Sequence, residues 1–207
     1  MGSSRISKRE IEKFLEKYSK PHPNPKYELE QYVTPSPIVA QIVWHAYISG
    51  HISNKKVVDL GCGTGVFCFA ASLLGAYCTC VEIDLESLET ARNIKSELNL
   101  DIELLNADII QFYGRFDTVI QNPPFGVVNR GIDIKFLQTA FSISNVVYSI
   151  HKSNERSRQI IIKIAKKHGF SAEILSERYR LKPYYPWHMK RIHEFLVDIY
   201  FFSKIPR

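Results

Sequence analysis

The chain has 207 residues, 45% of them apolar. That is enough for one domain with a sizeable core, yet no run approaches the roughly 20 apolar residues that span a bilayer. The N-terminus is polar and charged with no signal-like apolar stretch, so a cytoplasmic location is expected. The net charge of +6 is unevenly placed: residues 151–207 carry 13 Lys/Arg against 5 Asp/Glu, and residues 1–150 carry 14 against 16. A basic C-terminal third points to a polyanion surface, weighed against the plainer reading of a solvated basic helix and turn.

In chain order, a charged amphipathic helix is expected near 6–18, followed by a connector with Pro21, Pro23 and Pro25. A second helix near 36–49 has Pro37 in its first turn and Ile38, Val39, Ile42, Val43 and Ala46 on one side. From residue 55 strands and helices alternate, which argues for a parallel α/β sheet. The strands read as 56–60, 77–83, 102–107, 116–121 and 146–150, with helices near 65–74, 86–99, 133–143 and 154–168. Two further strands, near 172–179 and 194–202, have no helix between them and are expected to form an antiparallel hairpin at one end of the sheet. The expectation is a seven-stranded, mostly parallel Rossmann-like α/β fold with an antiparallel last strand. It is read as one domain, 1–207, with a helical extension (1–50) packed on a core of 55–207. Cys62, Cys68, Cys78 and Cys80 fall in apolar segments without metal-ligand spacing and read as buried reduced thiols.

The strand at 56–60 runs into Gly61-Cys62-Gly63-Thr64-Gly65 and then a helix. Glycines at alternate positions permit positive φ and close approach of a ligand to the backbone. Asp59 stands two residues before the first glycine, where a fixed carboxylate would repel a pyrophosphate. It would accept hydrogen bonds from a cationic amino acid group, which favours S-adenosylmethionine over a dinucleotide. Glu82, at the end of the next strand, suits a ribose diol, with Asp84 a close rival. Asp108 ends the third strand and is placed to accept from an adenine amine. Asn122 ends the fourth. A glycine motif alone is weak evidence, but four polar residues at successive strand ends match the place where open α/β sheets bind ligands.

Asn122-Pro123-Pro124-Phe125 is the most informative stretch. Two prolines cannot continue a ladder and hold the backbone stiff where Asn122 and Phe125 project. A carboxamide beside an aromatic ring suits a flat group with an exocyclic amine, such as adenine or a carboxamide.

Taken together, these residues resemble the class I S-adenosylmethionine-dependent methyltransferases with an Asn-Pro-Pro-Phe/Tyr signature. More narrowly, the chain resembles the methyltransferase-like protein five family of small-subunit rRNA adenine-N6 methyltransferases, in an archaeal form. The resemblance rests on Leu29-Glu30-Gln31-Tyr32-x-Thr34, Asp59 to Gly63, Asn122 to Gly126, Asp133-x-x-Phe136-Leu137 and Val147 to Ser153. It implies that Gln31, Thr34, Gly61, Thr64, Val66, Glu82 and Asp108 line the cofactor pocket, with Gln31 and Tyr32 closing over the methionine end. Asp59, Gly63 and Ile109 complete the candidate cofactor set. Position 82 is Glu where many relatives have Asp, which changes reach and not chemistry. The resemblance also implies a small zinc-binding methyltransferase activator protein as partner, pairing along the sheet edge beside strand 77–83.

The expected activity is N6-methylation of an unpaired adenosine in small-subunit rRNA, with Asn122, Pro123, Pro124 and Phe125 as the catalytic set. The basic, aromatic segment 178–191 is read as RNA-contacting through Arg178, Arg180, Lys182, Lys190 and Arg191, with Lys152 beside it and Lys163, Lys166 and Lys167 widening the patch. Its bland alternative is a hairpin loop packed on the sheet edge with Trp187 as a plug. The seven histidines show no metal spacing, and His151 reads as structural. Three rivals stand: protein glutamine-N5 methylation, which needs the same acceptors, DNA adenine methylation, and a catalytically silent RNA-binding subunit. Phe125 and Gln31-Tyr32 count against the first, the lack of an evident target-recognition domain against the second, and Asp59 and Asn122 against the third.

Overall fold

The structure, a computed structural model, describes residues 6–181 and 193–206. Helix α1 (Lys8–Tyr18) starts where Ser7 and Glu10 form a reciprocal capping box. An 11-residue helix is marginal alone. It is held to the body by Ile11 and Leu15, both fully buried, whose burial contributes roughly 1.5–3 kcal/mol each. Helix α2 (Ser36–Ile48) carries Pro37 at its first turn and turns Ile38, Val39, Ile42, Val43 and Ala46 inward, as the spacing predicts.

The sheet is built from β1 (Lys56–Leu60), β2 (Tyr77–Glu82), β3 (Ile102–Asn106), β4 (Thr118–Gln121), β5 (Val146–Lys152), β6 (Phe170–Leu181) and β7 (His193–Lys204). Its order is β3-β2-β1-β4-β5-β7-β6, with β1 to β5 parallel and β7 antiparallel to both neighbours. The expected hairpin is therefore present, with β7 inserted between β5 and β6. β4 begins two residues later than its apolar run suggests, since Asp117 turns its carboxylate to the Lys56 N–H.

One face of the sheet is covered by α1, α2, α3 (Val66–Leu73) and α4 (Leu85–Leu98), the other by α5 (Ile132–Ile143) and α6 (Glu155–Lys167). Burial on both faces explains the near-continuous apolar runs of β1 and β4. Strand order reverses across β1 and β4, so the carboxyl ends of these strands open onto a crevice.

Cys68 on α3 and Cys80 on β2 place their sulfurs against each other, whereas Cys62 and Cys78 are free and buried. Packing of α3 on β2 brings the two sulfurs together, a proximity that a 12-residue separation in the chain does not advertise. No cluster of three or more metal-ligating side chains occurs among the described residues, and no described helix is long and apolar enough to cross a membrane.

Candidate active site

At the carboxyl ends of β1, β2 and β4 lies a cavity of about 260 Å³. Its wall brings together Gln31, Tyr32, Thr34, Gly61, Gly63, Thr64, Val66, Glu82, Asp108, Ile109, Asn122 and Pro124. Asp59, Pro123 and Phe125 stand just outside that wall. The floor is the glycine turn, with Gly61 at φ 69° and Gly63 at φ 54°. Both glycines are required twice over. A Cβ on Gly61 would meet the Phe136 ring at 2.9 Å, and one on Gly63 would meet His22 at the same distance.

The acidic groups differ sharply. Asp59 is 1% exposed, and neither of its carboxylate oxygens has a hydrogen-bond partner. Burial, reinforced by nearby Glu82, pushes its pKa well above the usual carboxylate range. Glu82 accepts from the Gly63 N–H at 2.7 Å and the Asp84 N–H at 2.9 Å. Burial also raises Glu82, and those backbone donors oppose it. Asp84 faces away, toward the connector before α2. It accepts from Lys26 Nζ (2.5 Å), Gln31 Nε2 (2.8 Å) and Ser87 Oγ (2.6 Å). Burial would raise Asp84, but these three donors bring it down to about 2.

The connector itself is a strap across the cavity mouth. Thr64 Oγ1 donates to the Lys20 carbonyl, and buried His22 bonds through Nδ1 to Ser87. The Lys26 N–H donates to Gln31 Oε1, and Glu30 accepts from the Val128 N–H on the far side. Burial lowers the His22 pKa to about 4, with Asp84 pulling the other way, so the ring is neutral near pH 7. Motif reading missed His22, Lys26 and Ser87; only their types, in a Pro-rich segment beside a family motif, hinted at them.

Asn122 projects from the end of β4 on the stiff Pro123-Pro124 turn. Its Nδ2 donates to Thr34 Oγ1 at 2.9 Å and to the Tyr179 hydroxyl at 3.1 Å, while its Oδ1 is buried without a partner. Phe125 lies stacked on Tyr32 with centroids 5.4 Å apart and edge-on to Tyr179 and Phe195. Beneath the loop, Gln121 donates to Ser149, which bonds to His151, whose other ring nitrogen lies 3.6 Å from Asp133.

Residues 45–143 match the family Methyltransferase small domain. The chain is 36% identical to the rRNA N(6)-adenosine-methyltransferase Mettl5 of Drosophila melanogaster, over 97% of this chain and 98% of that protein. It is 38% identical to METTL5 of Danio rerio, over 86% of this chain and 90% of that one. The chain belongs to the METTL5 family of rRNA N6-adenosine methyltransferases. A crystal structure of a Pyrococcus horikoshii protein proposed to be an RNA methyltransferase superposes with a TM-score of 0.90, at 38% identity over the whole of both chains.

A METTL5-family enzyme uses S-adenosylmethionine, and the cavity fits that cofactor. The sulfonium and ammonium charges call for acceptors, and the Asp59 carboxylate, two residues before the glycine turn, is buried without a partner. Glu82 stands on the cavity wall, whereas Asp84 is engaged by Lys26, Gln31 and Ser87.

The candidate RNA-binding cations fall into three groups. Lys152 is exposed and faces Val197 across the β5–β7 ladder, and Glu177 faces the same Val197 from β6. Arg178 and Arg180 therefore lie near it at the cavity end of the sheet, both paired with Glu194. Lys163, Lys166 and Lys167 are exposed on α6. Lys182, Lys190 and Arg191, with Trp187, lie outside the described residues.

Proposed function

We propose that this chain methylates N6 of one unpaired adenosine in small-subunit rRNA, with Asn122-Pro123-Pro124-Phe125 as its active-site loop. The observation that carries this is the Asn122 carboxamide, its NH₂ fully engaged and its oxygen buried and unpartnered at the cofactor cavity. A buried acceptor of that kind needs a donor from outside the protein. An adenine N6 amine is such a donor.

The bound cofactor supplies an electrophilic methyl group. Asn122 Oδ1 and the Pro123 carbonyl accept the two N6 hydrogens, which draws the nitrogen lone pair out of conjugation and aims it at the cavity. Once N6 carries the extra substituent its proton is acidic and passes to water, so no side-chain base is required. Positioning of the amine supplies most of the rate. The base stacks on the Phe125 ring at the edge of the Tyr32, Tyr179 and Phe195 cluster, a contact worth roughly 1–3 kcal/mol. Asp59 receives the cofactor's cationic end, Glu82 its ribose and Asp108 its adenine, with Gln31 and Tyr32 closing the mouth.

Exposed Arg178 and Arg180, with Lys152, carry phosphates. On the opposite edge, Tyr77, Ile83, Leu85 and Leu105 are exposed beside β3. An unpaired edge flanked by apolar side chains fits the activator protein adding a strand there.

The test is tritiated-methyl transfer to purified small-subunit rRNA with nucleoside analysis, with and without the activator. N6-methyladenosine is expected from the wild type and none above background from Asn122→Ala. No RNA label from an enzyme that binds S-adenosylmethionine would overturn the reading and leave glutamine methylation as the reaction to test.

A further inference from the structure

The Asn122 amide has two faces, and only one of them serves the chemistry. With Oδ1 toward the cavity, Nδ2 spends its two hydrogens on Thr34 Oγ1 (2.9 Å) and the Tyr179 hydroxyl (3.1 Å). Turned over, the same amide would leave two buried N–H donors facing the cavity in place of one acceptor. Unpaired buried donors are less tolerated than an under-satisfied oxygen. A flipped amide would also meet the N6 amine donor to donor. The reaction therefore depends on what holds the amide in register.

We infer that Tyr179, with Thr34, is a positioning residue that fixes the Asn122 amide in place, so that strand β6 sets the geometry of the active-site loop. This rests on the reading of Asn122 as the acceptor of the target amine. Tyr179 is suited to the task because it cannot move independently: it is fully buried, stacked on Phe195 (5.3 Å) and edge-on to Tyr32 (6.0 Å) and Phe125 (6.2 Å). Its neighbours in the strand, Arg178 and Arg180, point the other way, with side chains 74% and 65% exposed. Strand alternation thus puts the amide's anchor and two candidate phosphate contacts on opposite faces of three consecutive residues. Thr34 approaches from the segment before α2, so the amide is gripped by two elements far from it in sequence.

Tyr179→Phe removes one hydroxyl and keeps the ring cluster. With saturating S-adenosylmethionine and rRNA its kcat is expected to fall by about tenfold, the size of one lost buried hydrogen bond, with cofactor Kd, RNA KM and Tm close to wild type. Thr34→Val should show a similar kcat loss, and Thr34→Ser, which restores the hydroxyl, should recover most of it. Wild-type kcat in both Tyr179→Phe and Thr34→Val would overturn the inference, as would a loss lying wholly in cofactor Kd or Tm. If Tyr179→Phe does not fold, the Thr34 pair decides: Val and Ser variants with equal kcat overturn the inference. Asn122→Ala in the same assay separates the two claims. Full activity there sinks the proposed function itself; an inactive Asn122→Ala beside a fully active Tyr179→Phe and Thr34→Val sinks only this inference.

Discussion

Two buried aspartates of the sheet, on β1 and β7, receive opposite treatment. Asp198, fully buried on β7, accepts from Arg158 Nε at 2.7 Å and Nη2 at 2.9 Å, and from Ser176 at 2.7 Å. Burial would raise its pKa, but Arg158 with Ser176 and Ser153 holds it below the usual value. Asp59, on β1, has no partner, and burial pushes it up. The β7 carboxylate is compensated and belongs to the scaffold. The β1 carboxylate is left wanting a cation, and a stable fold tolerates that only where a ligand repays it.

The largest expected effect breaks the pair apart. Asp59→Asn should weaken S-adenosylmethionine binding roughly 10–100-fold by calorimetry and leave Tm unchanged or higher. Asp198→Asn should do the reverse, lowering Tm by roughly 5–10 °C with cofactor affinity intact at permissive temperature. A variant of Asp59 that binds the cofactor normally would end the contrast. The same pair should part in acid titration. The stability linked to Asp59 is present below its unfolded value and fades as pH rises through the raised one. That linked to Asp198 is present above its unfolded value and fades as pH falls through the lowered one. Cofactor binding to the free enzyme should therefore release a proton from Asp59, read by calorimetry in two buffers of different ionisation enthalpy.

A smaller effect sharpens the comparison on the cofactor side. Asp84 is a third buried aspartate, and its partners belong to the strap. Asp84→Asn should loosen Lys26 and Gln31 and speed cofactor release about 3–10-fold in stopped flow. An unchanged off-rate would detach the strap from the cavity. The smallest effect on stability belongs to the exposed cations of β6. Arg178→Ala with Arg180→Ala should shift Tm by less than about 1 °C, as exposed ion pairs contribute little. If these residues carry phosphates, the salt dependence of RNA binding should flatten by about two in log–log slope. An unaltered slope would return this strand to the plainer reading of a solvated face.

Local pattern was enough for most elements. The proline in the first turn of α2, the alternation from residue 55 and the glycine turn after β1 each carry a signal within a few residues. The partners of the site do not. Thr34 lies 88 residues from Asn122, Tyr179 lies 57 away, and Lys26 lies 58 from Asp84. None of these pairings has a spacing to read. By type and position Glu82 and Asp84 are close rivals, two acids at one strand end. Folding separates them by direction, one turned to the Gly63 N–H and the other to Lys26. The proximity of Cys68 and Cys80 escaped for the same reason.

By itself the sequence determined the α/β class, the strand ends that carry Asp59, Glu82, Asp108 and Asn122, and, through its family motifs, the chemistry. These depend on propensities and periodicities that act over one element. Only the tertiary structure decided which carboxylates are satisfied, which face of the Asn122 amide meets the cavity, and that β6 supplies its anchor. Those outcomes turn on contacts between elements, which burial makes strong and no local pattern encodes.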